Sequence, residues 1–439
     1  MPSTVLPPRH WRLAATLAAA TFNGCAAGPA ATAASAPAPA VSAAAAVPAA
    51  SAASSPEELA RQQVAQQAAF ARWVQDMRGR ARSTGISEAT LRMAFDEVQL
   101  LPQVIEQDQA QPELTRTVWD YLDRAVSATR ISQGQEKLQQ IRAEAEAAAA
   151  RHGVPSNVIV AIWGMESNYG SHYGDIPTID ALATLGFEGR REDWARGQLI
   201  AALKILQSGD IARANMIGSW AGAMGQTQFL PTAFLSYAED ADGDGKRDIW
   251  GSMADVTAST ANFLARSGWM ASEPWGAEVL LPKDFDPGRA DSELRQPSSK
   301  WAGEGVKGLD GRPLPPMAEA SILLPAGIRG PAFLVGANFR SILRYNNSNS
   351  YALAVGLLAQ RLAGGPGVQG SWPRDLRALT RTELLAMQAA LNQRGFNTGT
   401  PDGRFGPATR AALRGYQRSI GVPPDGFPDQ NLLGRLTAQ

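Results

Sequence analysis

With 439 residues the chain is too long for one ordinary domain and long enough to bury a sizeable core, so two folded units joined by unstructured segments are expected. Lys and Arg together number 41, as do Asp and Glu, which leaves a near-neutral chain without the basic footprint of a nucleic-acid binder and excludes nucleic acid as a partner. A single cysteine, Cys25, excludes an intramolecular disulfide framework and a cysteine-based zinc site.

Arg9, His10, Trp11 and Arg12, followed by the apolar stretch 13–22, read as the n-region and h-region of an export signal covering 1–25. No other stretch is apolar over a length that spans a bilayer. Phe22-Asn23-Gly24-Cys25 resembles the lipobox of bacterial lipoproteins, whose cysteine is acylated after cleavage. Gly24 fits that pattern, whereas Phe22 stands where Leu is usual and Asn23 where a small residue is usual. Lipidation at Cys25 and plain cleavage nearby stay open; both send the protein to the periplasm, the first with an outer-membrane anchor. From 26 to 55 the chain is nearly all Ala, Pro, Ser and Val, with Pro29, Pro37, Pro39 and Pro48. Such a segment buries too little side-chain surface to offset its ordering entropy, and it reads as a disordered tether.

Helical periodicity dominates from 56 to 362, at 57–77, 88–96, 135–152, 194–208, 256–267 and 351–361, so the fold class is mainly α. Pro155 suits the opening of a further helix, because its fixed φ fits the first turn. Val158, Ile159, Ile162, Trp163 and Met165 make that helix apolar nearly all round, and Glu166, four residues after Ile162, ends an otherwise apolar row. Burial disfavours the charged form, moving a carboxyl pKa toward roughly 6 and keeping a proton available for general-acid work. Position alone also fits a structural Glu paired to an Arg.

The segment 240–251 reproduces much of an EF-hand loop. Asp240, Asp242, Asp244 and Asp248 stand at positions 1, 3, 5 and 9, the carbonyl of Lys246 at 7 and Gly245 at 6. Gly251 replaces the usual Glu at position 12, and Asp255 is the nearby carboxylate that would complete the site. The loop is either a weak structural Ca²⁺ site or a solvated acidic turn. From 275 to 324 frequent Pro and Gly interrupt the pattern, with short strands at 278–281 and 320–324. Gly364-Gly365-Pro366-Gly367 opens a linker, 364–374, after which 375–439 forms a separate small unit. Its elements are an amphipathic helix at 383–394, a turn at Asp402-Gly403 and a helix from Pro407 to Gln417.

Three segments carry a resemblance. Trp163-Gly164-Met165-Glu166-Ser167-Asn168-Tyr169-Gly170 closely resembles the catalytic motif of the lytic murein transglycosylase B family. The run from Ser219 to Pro231 is similar to that family's Gly/Ala-rich groove motif, and Tyr345-Asn346-Asn347-Ser348 followed by Tyr351-Ala352-Leu353-Ala354-Val355 is similar to its C-terminal signature. The resemblance extends over roughly 56–363, and 376–436 resembles the three-helix peptidoglycan-binding domain of wall hydrolases.

The resemblance implies a lysozyme-like catalytic domain with an additional helical subdomain, acting on peptidoglycan glycan strands. Glu166 would be the sole catalytic carboxylate. Ser219 and Asn346 would hydrogen-bond the sugar at the cleavage point, Gln228 and Phe229 would line the floor, and Tyr345 and Tyr351 would contact the reacting muramic acid. Arg190 and Arg191 stand where basic residues meet a peptide or lactyl carboxylate, and Trp194 where an aromatic is expected. Aromatic faces packing on pyranose rings, and amides and hydroxyls reading sugar polar groups, make these roles chemically sensible. Trp163 and Trp220 are better read as core. The family's calcium loop coincides with 240–251, although catalysis itself requires no cofactor. Cell-wall synthases or amidases are conceivable partners. Most glycosidases use two carboxylates and this motif offers one; the resemblance implies that the muramic acid C6 hydroxyl attacks intramolecularly in place of water. A hydrolytic muramidase and a non-catalytic wall-binding scaffold are the alternatives.

Overall fold

The computed structural model describes residues 55–110 and 116–438. The export signal, Cys25 and the tether as far as residue 54 lie outside the described residues. Among the described residues no helix is long and apolar enough to cross a membrane. The chain divides into a first unit ending at Gln75 and a second, Asp76–Gln439. Of the first unit the described part is the front of the helix Pro56–Ser83, where Phe70 and Trp73 stack with ring centroids 6.3 Å apart.

The second unit is mainly helical, and local sequence sets its joints. Ser87, Thr117, Ser127 and Ser252 each accept a bond from the backbone N–H three residues on, starting the helices Glu88–Phe95, Val118–Ala125, Ala128–Gln140 and Met253–Arg266. The stretch expected as one helix at 135–152 is two, Ala128–Gln140 and Arg142–His152, which hinge at the buried Ile141. Gly153 then ends the second of these in a left-handed conformation (φ 69°), and Pro155 caps the helix Ser156–Ser167. Every residue from Val158 to Gly164 on that helix is buried. The flanking helices Arg142–His152 and Asn349–Leu362 pack against it. Full burial of each large apolar side chain is worth roughly 1.5–3 kcal/mol, so this helix is rigidly anchored while it carries a carboxyl at its end.

The irregular region contains more order than the sequence suggests. A four-stranded antiparallel sheet runs in the order Lys307–Gly308, Gly276–Leu280, Ala332–Val335, Ser321–Leu323. Its Val279, Ile322 and Leu334 pack with Trp301, Val306 and Met317. Near the C-terminus the helices Arg381–Gln393, Pro407–Ser419 and Gln430–Thr437 enclose Met387, Leu391, Leu413 and Leu436. Two glutamines pin the turns between them. The Gln388 carbonyl accepts from the N–H groups of Asp402 (3.0 Å) and Gly403 (2.9 Å), and the Gln417 carbonyl accepts from Gly426 N–H at 2.8 Å.

Candidate active site

Glu166 occupies the last turn of the Ser156–Ser167 helix. The next three residues all have positive φ: Asn168 at 48°, Tyr169 at 59° and Gly170 at 79°. Such backbone is costly for residues other than glycine and persists only where its surroundings over-determine it. Here Ser167 Oγ accepts from Gly170 N–H (3.0 Å), and the Tyr169 hydroxyl donates to the carbonyl of Arg130 (2.9 Å). The Tyr169 ring fills the space over Gly164, where a Cβ would lie 2.5 Å from it.

Part of the Glu166 surface stays open, but the carboxyl is deeply enclosed by protein. Burial pushes its pKa up from 4.5 to about 7, against a smaller downward pull from the Tyr351 hydroxyl, which donates to Glu166 Oε1. No carboxylate among the described residues contributes to that shift. Burial also raises the Tyr345 and Tyr351 phenols well above 10, with a further push from the charge of Glu166. Tyr121 is raised to about 12 by burial and by Glu166, which brings it into the same neighbourhood.

The loop after residue 218 folds back on itself. Ser219 N–H donates to Ala223 O (2.8 Å), Ser219 Oγ accepts from Ala223 N–H (3.2 Å), and Met224 N–H donates to Phe229 O (2.8 Å). A Cβ on Gly225 would meet Ile249 O at 2.7 Å, so the close approach requires glycine. Gln228 is held at φ 51°, its amide donating to Tyr173 O (2.9 Å) and Gly225 O (3.0 Å). Phe229 is 2% exposed and sits in an aromatic cluster with Phe263 and Tyr345, both centroids 5.7 Å away. The Tyr345 hydroxyl donates to Thr227 O at 2.7 Å, tying the loop to the helix Ala337–Tyr345. Asn346, half-buried, caps that helix. Tyr351 is 4% exposed and meets Glu166 directly.

Arg190 and Arg191 converge on one residue the sequence reading passed over, Asp108. Arg190 Nε and Arg191 Nη2 lie 2.7 and 2.6 Å from its two carboxylate oxygens. Burial would raise the Asp108 pKa, but the hydrogen bonds and charges of the two arginines outweigh it and hold the carboxyl below its ordinary range. Arg191 also lies over the rings of Trp194 (4.7 Å) and of Trp220 (5.8 Å), the residue after Ser219. Trp163 is 4% exposed and Trp220 is partly buried against the Ala181, Leu185 and Ala195 cluster.

In the acidic loop the carboxylate oxygens of Asp240, Asp242 and Asp244 lie within 4.8 Å of one another, a spacing suited to a hard cation. Asp255 stands apart from that group. Its two oxygens accept from the N–H groups of Ala241 and Asp248, each at 2.7 Å, and burial raises its pKa. The Lys246 N–H donates to Asp244 Oδ1 (2.8 Å), and Asp248 Oδ1 accepts from Trp250 and Gly251 N–H, both at 2.9 Å.

The Transglycosylase SLT domain family matches residues 69–360, and a peptidoglycan binding domain family matches 380–436. Membrane-bound lytic murein transglycosylase B of Escherichia coli K12 is 34% identical over 219 residues, which are 48% of this chain and 58% of that protein; the chain thus spans less than two thirds of that relative. SltB3 of Pseudomonas aeruginosa, solved in complex with NAG-anhNAM-pentapeptide, is 52% identical with a TM-score of 0.82, covering 84% of this chain and 99% of SltB3. Escherichia coli Slt35, solved in complex with calcium, is 28% identical with a TM-score of 0.57, covering 67% of this chain and 92% of Slt35.

Proposed function

From the premise that the chain belongs to the Transglycosylase SLT domain family, we propose that it is a lytic transglycosylase of peptidoglycan and that Glu166 alone serves as acid and then base. The observation that carries this reading is a single enclosed carboxyl, raised to about 7, with no second carboxylate among the described residues acting on it. A group with that pKa is substantially protonated near neutrality and can deliver a proton to the glycosidic oxygen between N-acetylmuramic acid and N-acetylglucosamine. As the C1–O bond breaks, the C6 hydroxyl of the same muramoyl residue attacks C1. Its proton passes to the Glu166 carboxylate, leaving a 1,6-anhydro end and a restored acid. The Tyr351 hydroxyl steadies the carboxylate between the two transfers.

Ser219 and Asn346 hydrogen-bond the sugar at the cleavage point. Gln228 lies on the groove floor, with Phe229 and Tyr345 backing it from the aromatic cluster. Arg190 and Arg191, which share Asp108 with Glu188 also acting on Arg190, would meet a lactyl or peptide carboxylate beside Trp194. Residues 56–363 form the catalytic part and 375–439 the wall-binding part, joined through 364–374. A structural Ca²⁺ would be held by Asp240, Asp242 and Asp244 with the Lys246 carbonyl, while Asp255 braces the loop through the Ala241 and Asp248 N–H groups. The protein acts in the periplasm, and acylation of Cys25 would hold it at the outer membrane.

Mass spectrometry of fragments released from purified sacculi, beside Glu166→Gln, decides the reaction. Products one water lighter than hydrolytic muropeptides, absent with the variant, are expected. Reducing-end muramic acid would make the enzyme a muramidase.

A further inference from the structure

Gln226 lies two residues before Gln228 in the groove loop and is 8% exposed. Its side-chain carbonyl accepts from the indole N–H of Trp163 at 2.8 Å. Its amide nitrogen donates to the carbonyl of Trp250 at 2.7 Å, and its own backbone N–H donates to Ile249 O at 2.8 Å. The Trp250 indole in turn donates to Ile217 O (2.8 Å), at the entry to the groove loop. One primary amide therefore joins the Glu166 helix, the groove loop and the end of the acidic loop.

The amide also bears on the strained turn after Glu166. A Cβ at Gly170 would lie 2.3 Å from Gln226 Oε1, so the left-handed residue and the amide fit only each other. Trp163 stands three residues before Glu166, on the next turn of the same helix, with its ring edge-on to Tyr169 at 5.7 Å. Fixing the indole fixes the helix end from which the carboxyl projects. A single neutral amide thus both accepts from the indole and donates to the carbonyl. Glutamate keeps the first bond and loses the second.

We infer that Gln226 is a positioning residue for the transglycosylase reaction, acting through Trp163 to hold Glu166 in place over the groove floor. The inference rests on the reading of Glu166 as acid and base. With the clamp removed the helix end loosens, more water reaches the carboxyl, and its pKa falls back toward the ordinary glutamate range.

The test uses the full chain acting on sacculi from pH 4.5 to 9, with Gln226→Leu, Trp163→Phe, the double variant and Glu166→Gln. Thermal melts and near-ultraviolet circular dichroism report folding. In Gln226→Leu, turnover at saturating substrate is expected to fall at least about tenfold with half-saturation within about twofold, and the alkaline limit of activity to move down by about one pH unit. Trp163→Phe, which removes the indole donor without touching the loop, is expected to shift that limit in the same direction, and the double variant to lose no more than the worse single variant. A lower melting temperature with wild-type turnover and an unmoved alkaline limit in either folded single variant would overturn the inference. So would losses that multiply in the double variant. If Gln226→Leu does not fold, Trp163→Phe decides alone. Glu166→Gln as active as the wild type would take down the functional reading and this inference with it, whereas a Glu166-dependent enzyme indifferent to both single variants removes only the inference.

Discussion

Replacing Glu166 by glutamine should stabilise the protein in a pH-dependent way, because the folded state holds this proton more tightly than the unfolded chain does. The folded carboxyl titrates at about 7 against an ordinary 4.5. A group raised in this way supports folding fully below the unfolded value and loses that support as pH rises through the folded one. The window is therefore pH 4.5 to 7. The difference corresponds to about 3 kcal/mol at its upper limit. Since part of the Glu166 surface is open to solvent, about 2 kcal/mol is the expected fraction. Glutamine keeps an acceptor for the Tyr351 hydroxyl, so the substitution removes the ionisation and little else. At roughly 2 °C per kcal/mol for a domain of this size, Glu166→Gln should melt about 4 °C above the wild type at pH 8. At pH 4.5 the two should melt together. Calorimetry across that range, followed through the transition of the catalytic part, reads the effect directly. An equal offset at both pH values would mean that Glu166 ionises at an ordinary pKa, and the acid role argued for it would fall.

Other parts of the site make separate predictions. Tyr351→Phe removes the donor that favours the charged carboxylate, so the alkaline fall in turnover should move up by roughly one pH unit, read from a pH profile. Asp108→Ala leaves two arginines facing each other. Because Arg190 is half exposed, the cost should be about 1–2 kcal/mol rather than that of a fully buried pair, measured by urea denaturation at pH 7. That contribution should fade in the wild type only below the ordinary aspartate range, as pH falls through the depressed Asp108 value. Calcium at about 100 times its dissociation constant should add roughly 2.7 kcal/mol, seen as a higher melting temperature than in chelator and abolished in Asp242→Ala. Arg414→Ala, which breaks contacts to Asp291 and to Ala290 O, should quicken proteolytic cutting within 364–374, and an unchanged cutting rate would show that the contact carries no docking energy.

Much of the Glu166 helix was legible because its pattern is unusual: a proline at the entry and an apolar surface on nearly every side carry the terminal carboxyl into the interior. The break at Ile141 was not legible, since neither glycine nor proline marks it and the hinge residue is itself buried. Asp108 was hidden for another reason. It lies 82 positions from Arg190, and nothing in a helix of ordinary polarity distinguishes the one carboxylate that two arginines will share. Gln226 and Gln228 look alike in sequence, and only the fold shows that one is bonded to Trp163 and Trp250 while the other takes a left-handed backbone.

The segment 364–374 reads in sequence as a boundary, and its chemistry in the fold is that of a strap. Gln360 Nε2 and Arg361 Nη1 donate to the carbonyls of Pro366 (2.6 Å) and Gly365 (2.7 Å), and Glu278 takes the N–H groups of Gln369 (2.8 Å) and Gly370 (2.6 Å). Arg374 then grips Asp123 with two bonds of 2.8 and 3.1 Å, and Arg329 grips Asp375 at 2.8 and 2.9 Å. Exposed pairs such as these contribute 0–1 kcal/mol each, too little to fix one part of the chain on another. The stronger hold is apolar: Trp119, Ala326 and Leu376 are buried together with Trp372 and Phe427 against them, and burial of that kind does not weaken with salt. A wall-binding domain on a free tether would raise substrate concentration at the groove in every direction within reach. One docked across this patch offers a single offset, so in the proposed reading the strand it holds meets Glu166 at a fixed distance along the glycan, or does not meet it at all.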